Sequence, residues 1–258
     1  KPDHLIAWSD ANLLNKINSN DKYVWSHSVQ PIEKFIRKKQ FFPFIKNKPK
    51  VILEGEYHFK TRNFFTSPFG KHIIKVAPDY EFIDQTVELN NIPLPNAIFT
   101  TRSDRNLNFL LDCWYEISKK SKNSKLYINP PYELKKKDID SSVLLRKPST
   151  KANLINELLN SRVMLNPGHK GEVFCLAAEE AKTLCLPIVT MGIGSLYERV
   201  EHFKTGFIAN SKEEFIKYSL DILTNDQVYL DLKRNLINSR GSRTYINVAN
   251  DLLNLINK

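Results

Sequence analysis

From about residue 97 onward, short runs of β-branched and apolar residues alternate with longer stretches of helical periodicity, and this alternation constrains the fold more than any other feature of the chain. Residues 97–101, 125–129, 142–145, 162–166 and 187–191 read as strands. Between and after them, 106–118, 151–160, 174–184, 212–224, 227–239 and 244–257 read as helices. In the first helix Leu107, Leu110, Leu111, Trp114 and Ile117 fall on one face at the three-to-four spacing of a buried stripe. Strands joined by helices predict βαβ units, a parallel sheet and an α/β fold. In such sheets ligands bind beyond the C-terminal strand ends.

The first ninety residues are less regular. Residues 5–8, 23–25, 51–53 and 73–76 are the strand candidates, enough for part of a second α/β domain but short for a whole one. Residues 90–95, where Pro93 and Pro95 flank Leu94, read as a stiff connection. The expected division is therefore 1–92, 93–240, and a C-terminal helix, 241–258, packing back toward the first domain. The chain opens on Lys1 rather than Met, which leaves room for a longer N-terminal domain.

No apolar run approaches the roughly 18 residues of a membrane span, and no secretory h-region follows the first residues, so a cytoplasmic location is expected, with membrane association left open. Cys113, Cys175 and Cys185 are an odd count without metal-ligand spacing and read as buried free thiols. The net charge of +10 fits an anionic partner, but lysine, asparagine and isoleucine abound along the whole chain, so charge alone decides nothing.

The chemistry concentrates in residues 165–189, LNPGHKGEVFCLAAEEAKTLCLPIV. A strand ends at Asn166-Pro167, a loop containing His169, Lys170 and Gly171 follows, Glu172 stands before a helix, and Glu180 lies eight residues on. A helix N-terminus suits a diphosphate, through its backbone N–H groups and the positive end of its dipole. Ionised carboxylates only accept hydrogen bonds and so bind vicinal hydroxyls, as on a sugar ring and a ribose. Glutamates at this spacing also occur by chance on any amphipathic helix, and Glu179 reads as a solvated carboxylate of that kind.

This segment resembles the E-x7-E motif of the group 1 glycosyltransferases, a retaining GT-B family, with Glu172 and Glu180 as its two glutamates. The similarity continues through Glu180-Ala181, Pro187-Ile188-Val189 and the glycine-bearing stretch 192–208, where Ser195, Tyr197 and Phe203 depart from the usual residues. Upstream, 99–111 resembles the family's diphosphate-binding loop, with Arg102 in the arginine position and Arg105 in place of the lysine. Either arginine can hold phosphate oxygens through paired hydrogen bonds. A solvated loop pair is the competing reading.

The resemblance implies a GT-B-like fold of two Rossmann-like domains, the N-terminal one short or truncated. It also implies a metal-independent hexosyltransferase that needs no cofactor beyond its nucleoside diphosphate sugar donor. Glu172 would position the transferred sugar. Arg102, Arg105, Glu180, His169, Lys170 and Gly171 would bind the donor. His27, at the end of the strand at 23–25, resembles the family's histidine that faces the donor sugar; a structural role at a strand end is the alternative. The acceptor would be a glycan or a lipid-linked glycan, as in polysaccharide biosynthesis. The competing assignments are a GT-B-like binding or scaffold protein without catalysis and, more distantly, a nucleic-acid binder; nucleic acid is not among the expected partners.

Residues 31–50 interleave seven Lys and Arg with Phe35, Ile36, Phe41, Phe42 and Phe44. Such a segment can dock on an anionic membrane or form a basic surface helix whose phenylalanines face the core. The second reading is preferred, because Pro43 breaks a long helix.

Overall fold

A computed structural model describes residues 2–29, 31–70, 72–130, 140–147 and 150–257. Its contacts group the chain into two units, Lys1–Ala77 with Lys170–Phe174 and Tyr245–Lys258, and Pro78–His169 with Cys175–Thr244.

The first unit begins with β1 (His4–Trp8), β2 (Asp21–Trp25), β3 (Lys50–Leu53) and β4 (His72–Ile73), a parallel sheet in that order. The β4 run stops at Ile73, shorter than its sequence suggests. Alternation along the strands sends Val24, Val51 and Leu53 to one face and Tyr23, Trp25 and Ile52 to the other. The first face is covered by a 3-10 turn at Ala11–Asn15 and by α1 (Ile32–Arg37) and α2 (Phe41–Asn47), which insert Leu14, Phe35 and Phe44. The helix expected in 31–50 is thus two short ones. The break falls at Lys38 to Gln40, where Lys39 takes a left-handed φ of 54°, while Pro43 sits in the first turn of α2, where its missing N–H costs nothing. After β3 comes α3 (Glu56–Lys60).

The second unit runs through α4 (Tyr80–Ile83), β5 (Asn96–Phe99), α5 (Leu107–Lys120), β6 (Lys125–Ile128), β7 (Val143–Leu145) and α6 (Lys151–Leu159). It continues with β8 (Val163–Leu165), α7 (Leu176–Thr183), β9 (Ile188–Thr190), β10 (Gly206–Ile208), α8 (Lys212–Thr224) and α9 (Asp226–Asn238). Its six strands are parallel in the order β10-β9-β8-β5-β6-β7. Ala97, Phe99, Leu126, Leu165 and Val189 face α5, α8 and α9, whereas Ile98, Met164 and Ile188 face α6 and α7. A sheet buried on both faces explains why its strands are continuous apolar runs. Finally α10 (Tyr245–Ile256) joins the first unit, where Val248, Leu252 and Leu255 pack with Tyr23, Trp25 and Ile52.

Residues 90–95, expected as the inter-domain connection, lie inside the second unit. Arg162 donates to the Pro93 carbonyl at 2.9 Å and Lys233 to that of Asn91 at 2.8 Å, so long-range bonds fix what the prolines alone made look like a linker. The three cysteines are free and buried.

Candidate functional site

In the second unit the strand order reverses at β5. Its neighbours are β6, the next strand in the chain, and β8, reached only after α5, β6, β7 and α6. At such a switch point the loops leaving adjacent strands diverge and open a crevice beyond their C-terminal ends. Here two side-chain hydrogen bonds join those loops. Asn106, in the left-handed conformation at φ 61° as it opens α5, donates through Nδ2 to the Gly168 carbonyl. Arg105 donates from Nη1 to His169 Nδ1 at 2.7 Å, which requires the proton of a neutral His169 to sit on Nε2. Two of the residues expected to bind the donor are thereby brought into contact.

Arg102 behaves differently. Its side chain is 70% exposed and donates to the Asp104 carboxylate, from Nε at 3.1 Å, and this guanidinium, with Arg105 behind it, holds the Asp104 carboxyl below the usual range. Of the expected arginine pair, Arg105 faces the β8 loop and Arg102 points to a neighbour on its own loop.

The β8 loop is held in shape by Asn166, whose Oδ1 accepts the Gly168 N–H at 3.1 Å. Gly168 has φ +90°, and a β-carbon there would stand 2.5 Å from the Ile193 carbonyl oxygen. Only glycine allows the bridge that pairs Gly168 with Ile193 of the loop after β9. Three hydroxyls the sequence did not single out lie at these strand ends. Thr100 and Thr101 follow β5 and Ser195 follows β9, and the hydroxyl oxygen of each is buried with no hydrogen-bond partner among the described residues. Buried hydroxyls are ordinarily paired, so these three are exceptions at the C-terminal ends of the sheet. In the sequence the Thr100-Thr101 pair reads as the end of the strand at 97–101, which hid it.

Helix α7 opens from Cys175, which takes φ 58° and gives no side-chain cap. Glu180 lies within it, and burial pushes its carboxyl up to about 7, with Lys151 opposing and Asp79 adding to the shift. Lys151 itself is paired with Asp79 and, at 3.2 Å, with Glu81. Glu179 is not the solvated carboxylate its position suggests: it lies 3.5 Å from Arg199, whose side chain is buried, because a desolvated guanidinium needs a counter-charge.

The remaining expected residues belong to the first unit. Lys170, Gly171 and Glu172 lie in its Lys170–Phe174 segment, where the Tyr57 hydroxyl donates to the Lys170 carbonyl at 2.7 Å and Glu172 is buried. His27 follows β2, bonds through Nδ1 to the buried Glu54 carboxylate, and stacks on Trp8 with ring centres 3.7 Å apart. Beside it His58 accepts the Glu54 N–H at 3.2 Å and reaches the Ser28 carbonyl through Nε2; burial lowers its imidazole to about 4, so it is neutral. Glu54, missed in the sequence, is thus the group that orients His27.

The fold is GT-B-like, built from two Rossmann-like parallel-sheet units. Residues 132–239 match the family described as Glycosyl transferases group 1. No curated protein matches the chain in sequence. Among solved structures, a S. aureus TarM mutant in complex with Fondaparinux, alpha-GlcNAc-glycerol and UDP superposes with a TM-score of 0.72 at 16% identity, covering 93% of this chain and 52% of that one. Anabaena HepE in complex with UDP and glucose gives 0.77 at 12% identity, covering 99% and 78%. The pneumococcal O-GlcNAc transferase GtfA in complex with UDP and GlcNAc gives 0.68 at 11%, covering 92% and 52%. The chain therefore spans about half the length of TarM and of GtfA.

Proposed function

We propose that the protein is a retaining, metal-independent glycosyltransferase that moves a sugar from a nucleoside diphosphate sugar to a hydroxyl of a glycan or lipid-linked glycan. The observation that carries the reading is the switch-point crevice of the second unit, where Arg105 and His169 meet and the hydroxyls of Thr100, Thr101 and Ser195 stand buried without partners. The group 1 match and the UDP complexes of structurally similar proteins support the same class of ligand.

In this reading Arg105 and the N-terminus of α7, assisted by Arg102, neutralise the donor diphosphate, with His169, Lys170 and Gly171 completing the loop around it. Charge builds on the departing diphosphate as the glycosidic bond breaks, so fixed positive groups there lower the barrier most. Glu180 accepts from the ribose hydroxyls, Glu172 holds the transferred sugar, and His27, oriented by Glu54, bonds to that sugar. Side chains and a helix end replace the divalent cation. Release of nucleoside diphosphate from a panel of nucleotide sugars, with an acceptor present, is expected to persist in EDTA; turnover lost in EDTA and restored by magnesium or manganese would refute the metal-independent mechanism.

A further inference from the structure

The elements covering one face of the first unit's sheet have an outer surface that no other part of that unit's core uses. Hydrogen bonds knit the 3-10 turn, the end of α1 and α2 into one plate: Asn12 donates to the Lys38 carbonyl at 3.0 Å, Asn47 to Asn15 at 2.9 Å, and Gln40 to Asp10 at 3.1 Å. Phe35 and Phe44 point inward to the core. Outward stand Ile36 at 65% exposure, Phe42 at 78% and Ile45 at 46%, with Leu13 on the adjoining turn. Isolated exposed apolar residues are ordinary, but four of them on one fixed plate need an occupant.

The charges beside them identify it. Arg37, Lys38, Lys39 and Lys46 are all exposed, and Glu33 is the one acid on α1 and α2. Lys34 is excluded, since its ammonium turns in to Ser28 and the Val29 carbonyl. A protein lid over the apolar residues would have to desolvate the neighbouring cations, which is unfavourable unless each gains a counter-charge. A lipid interface imposes no such cost, because long basic side chains reach the headgroups while apolar ones enter the acyl boundary. No helix among the described residues is long and apolar enough to cross a membrane, so this contact is peripheral.

We infer that the plate formed by the 3-10 turn, α1 and α2 is a docking surface for an anionic lipid bilayer, inserting Ile36, Phe42 and Ile45 at the headgroup boundary and pairing Arg37, Lys38, Lys39 and Lys46 with acidic headgroups. The inference is independent of the transfer reaction. Its test is cosedimentation of the intact chain with phosphatidylcholine vesicles made with and without phosphatidylglycerol. Two variants change only exposed side chains, Ile36→Ser with Phe42→Ser and Lys38→Glu with Lys46→Glu, and far-UV circular dichroism checks that each remains folded. The wild type is expected on the anionic vesicles alone, and each variant should lose roughly tenfold or more in apparent affinity. Absence of wild-type binding overturns the proposal, as does an unchanged affinity of the Ile36→Ser, Phe42→Ser variant, which would reduce the contact to adsorption by charge. Elution of the wild type as a dimer that the same variant dissociates would assign the face to a second copy and also overturn it.

Discussion

Glu180 is a half-buried carboxyl whose ionisation is pushed up to about 7 by desolvation, an unfavourable arrangement for folding. Because its folded value lies above the ordinary value of 4.5, its stabilising contribution is complete below that value and disappears as pH rises through about 7. Glu180→Gln removes the desolvated charge. Its melting temperature should exceed that of the wild type at pH 8, by a margin that shrinks toward pH 5; a margin independent of pH would show that the carboxyl titrates normally. The proposed contact gives a second expectation. Glu180→Ala should weaken binding of free nucleoside diphosphate by about 1.5–3 kcal/mol, the usual value of a hydrogen bond to a charged group. Glu172→Ala should leave that affinity nearly intact and lower the turnover rate, since it touches the part that reacts. Calorimetric titration followed by a transfer assay on both variants checks the pair, and small equal effects would make both ordinary carboxylates. The residue types at these positions were legible in the sequence. Their environments were not: the pairing of Glu179 with Arg199 and the clasp of His27 by Glu54 join residues 20 and 27 positions apart.

At the scale of elements, the strands and helices after β5 follow their sequence runs closely, because strands buried on both faces and helices with apolar stripes carry strong periodicity. The short helices α1, α2 and α3, of 6, 7 and 5 residues, are too brief to display a period and were hidden behind their lysines and phenylalanines. One tight contact at the sheet edge was visible only as a threonine-glycine pair. At Gly206 in β10 a β-carbon would stand 2.1 Å from the Ile188 carbonyl oxygen of β9. Gly206→Ala must therefore push the edge strand away, and about 1–3 kcal/mol of stability should be lost. Urea unfolding should show a lower midpoint at unchanged slope; an unaltered midpoint would mean that β10 yields at no cost.

On the scale of the whole molecule, the α/β class, the parallel sheet and the return of the C-terminal helix to the first unit were readable, whereas the other crossings of the chain between units were not. The chain passes at Ala77, again on either side of the Lys170–Phe174 segment, and last before Tyr245. No composition change marks the earlier points, because they are set by long-range packing. The expected site is divided accordingly, with Arg102, Arg105, His169 and Glu180 in one unit and His27 and Glu172 in the other. Of the residues proposed to hold the nucleoside diphosphate, Arg102, Arg105, His169 and Glu180 lie in the second unit, and their role can be tested without knowing the sugar or the acceptor. A ligand selective for the folded state stabilises it by about 2.7 kcal/mol at a hundred times its dissociation constant. Thermal unfolding of the wild type, Arg105→Ala and Glu180→Ala with UDP, GDP or ADP at millimolar concentration measures this directly. The account predicts that at least one of the three raises the wild-type melting temperature and that both substitutions diminish the rise. No rise with any of them, or an equal rise in all three proteins, would contradict it.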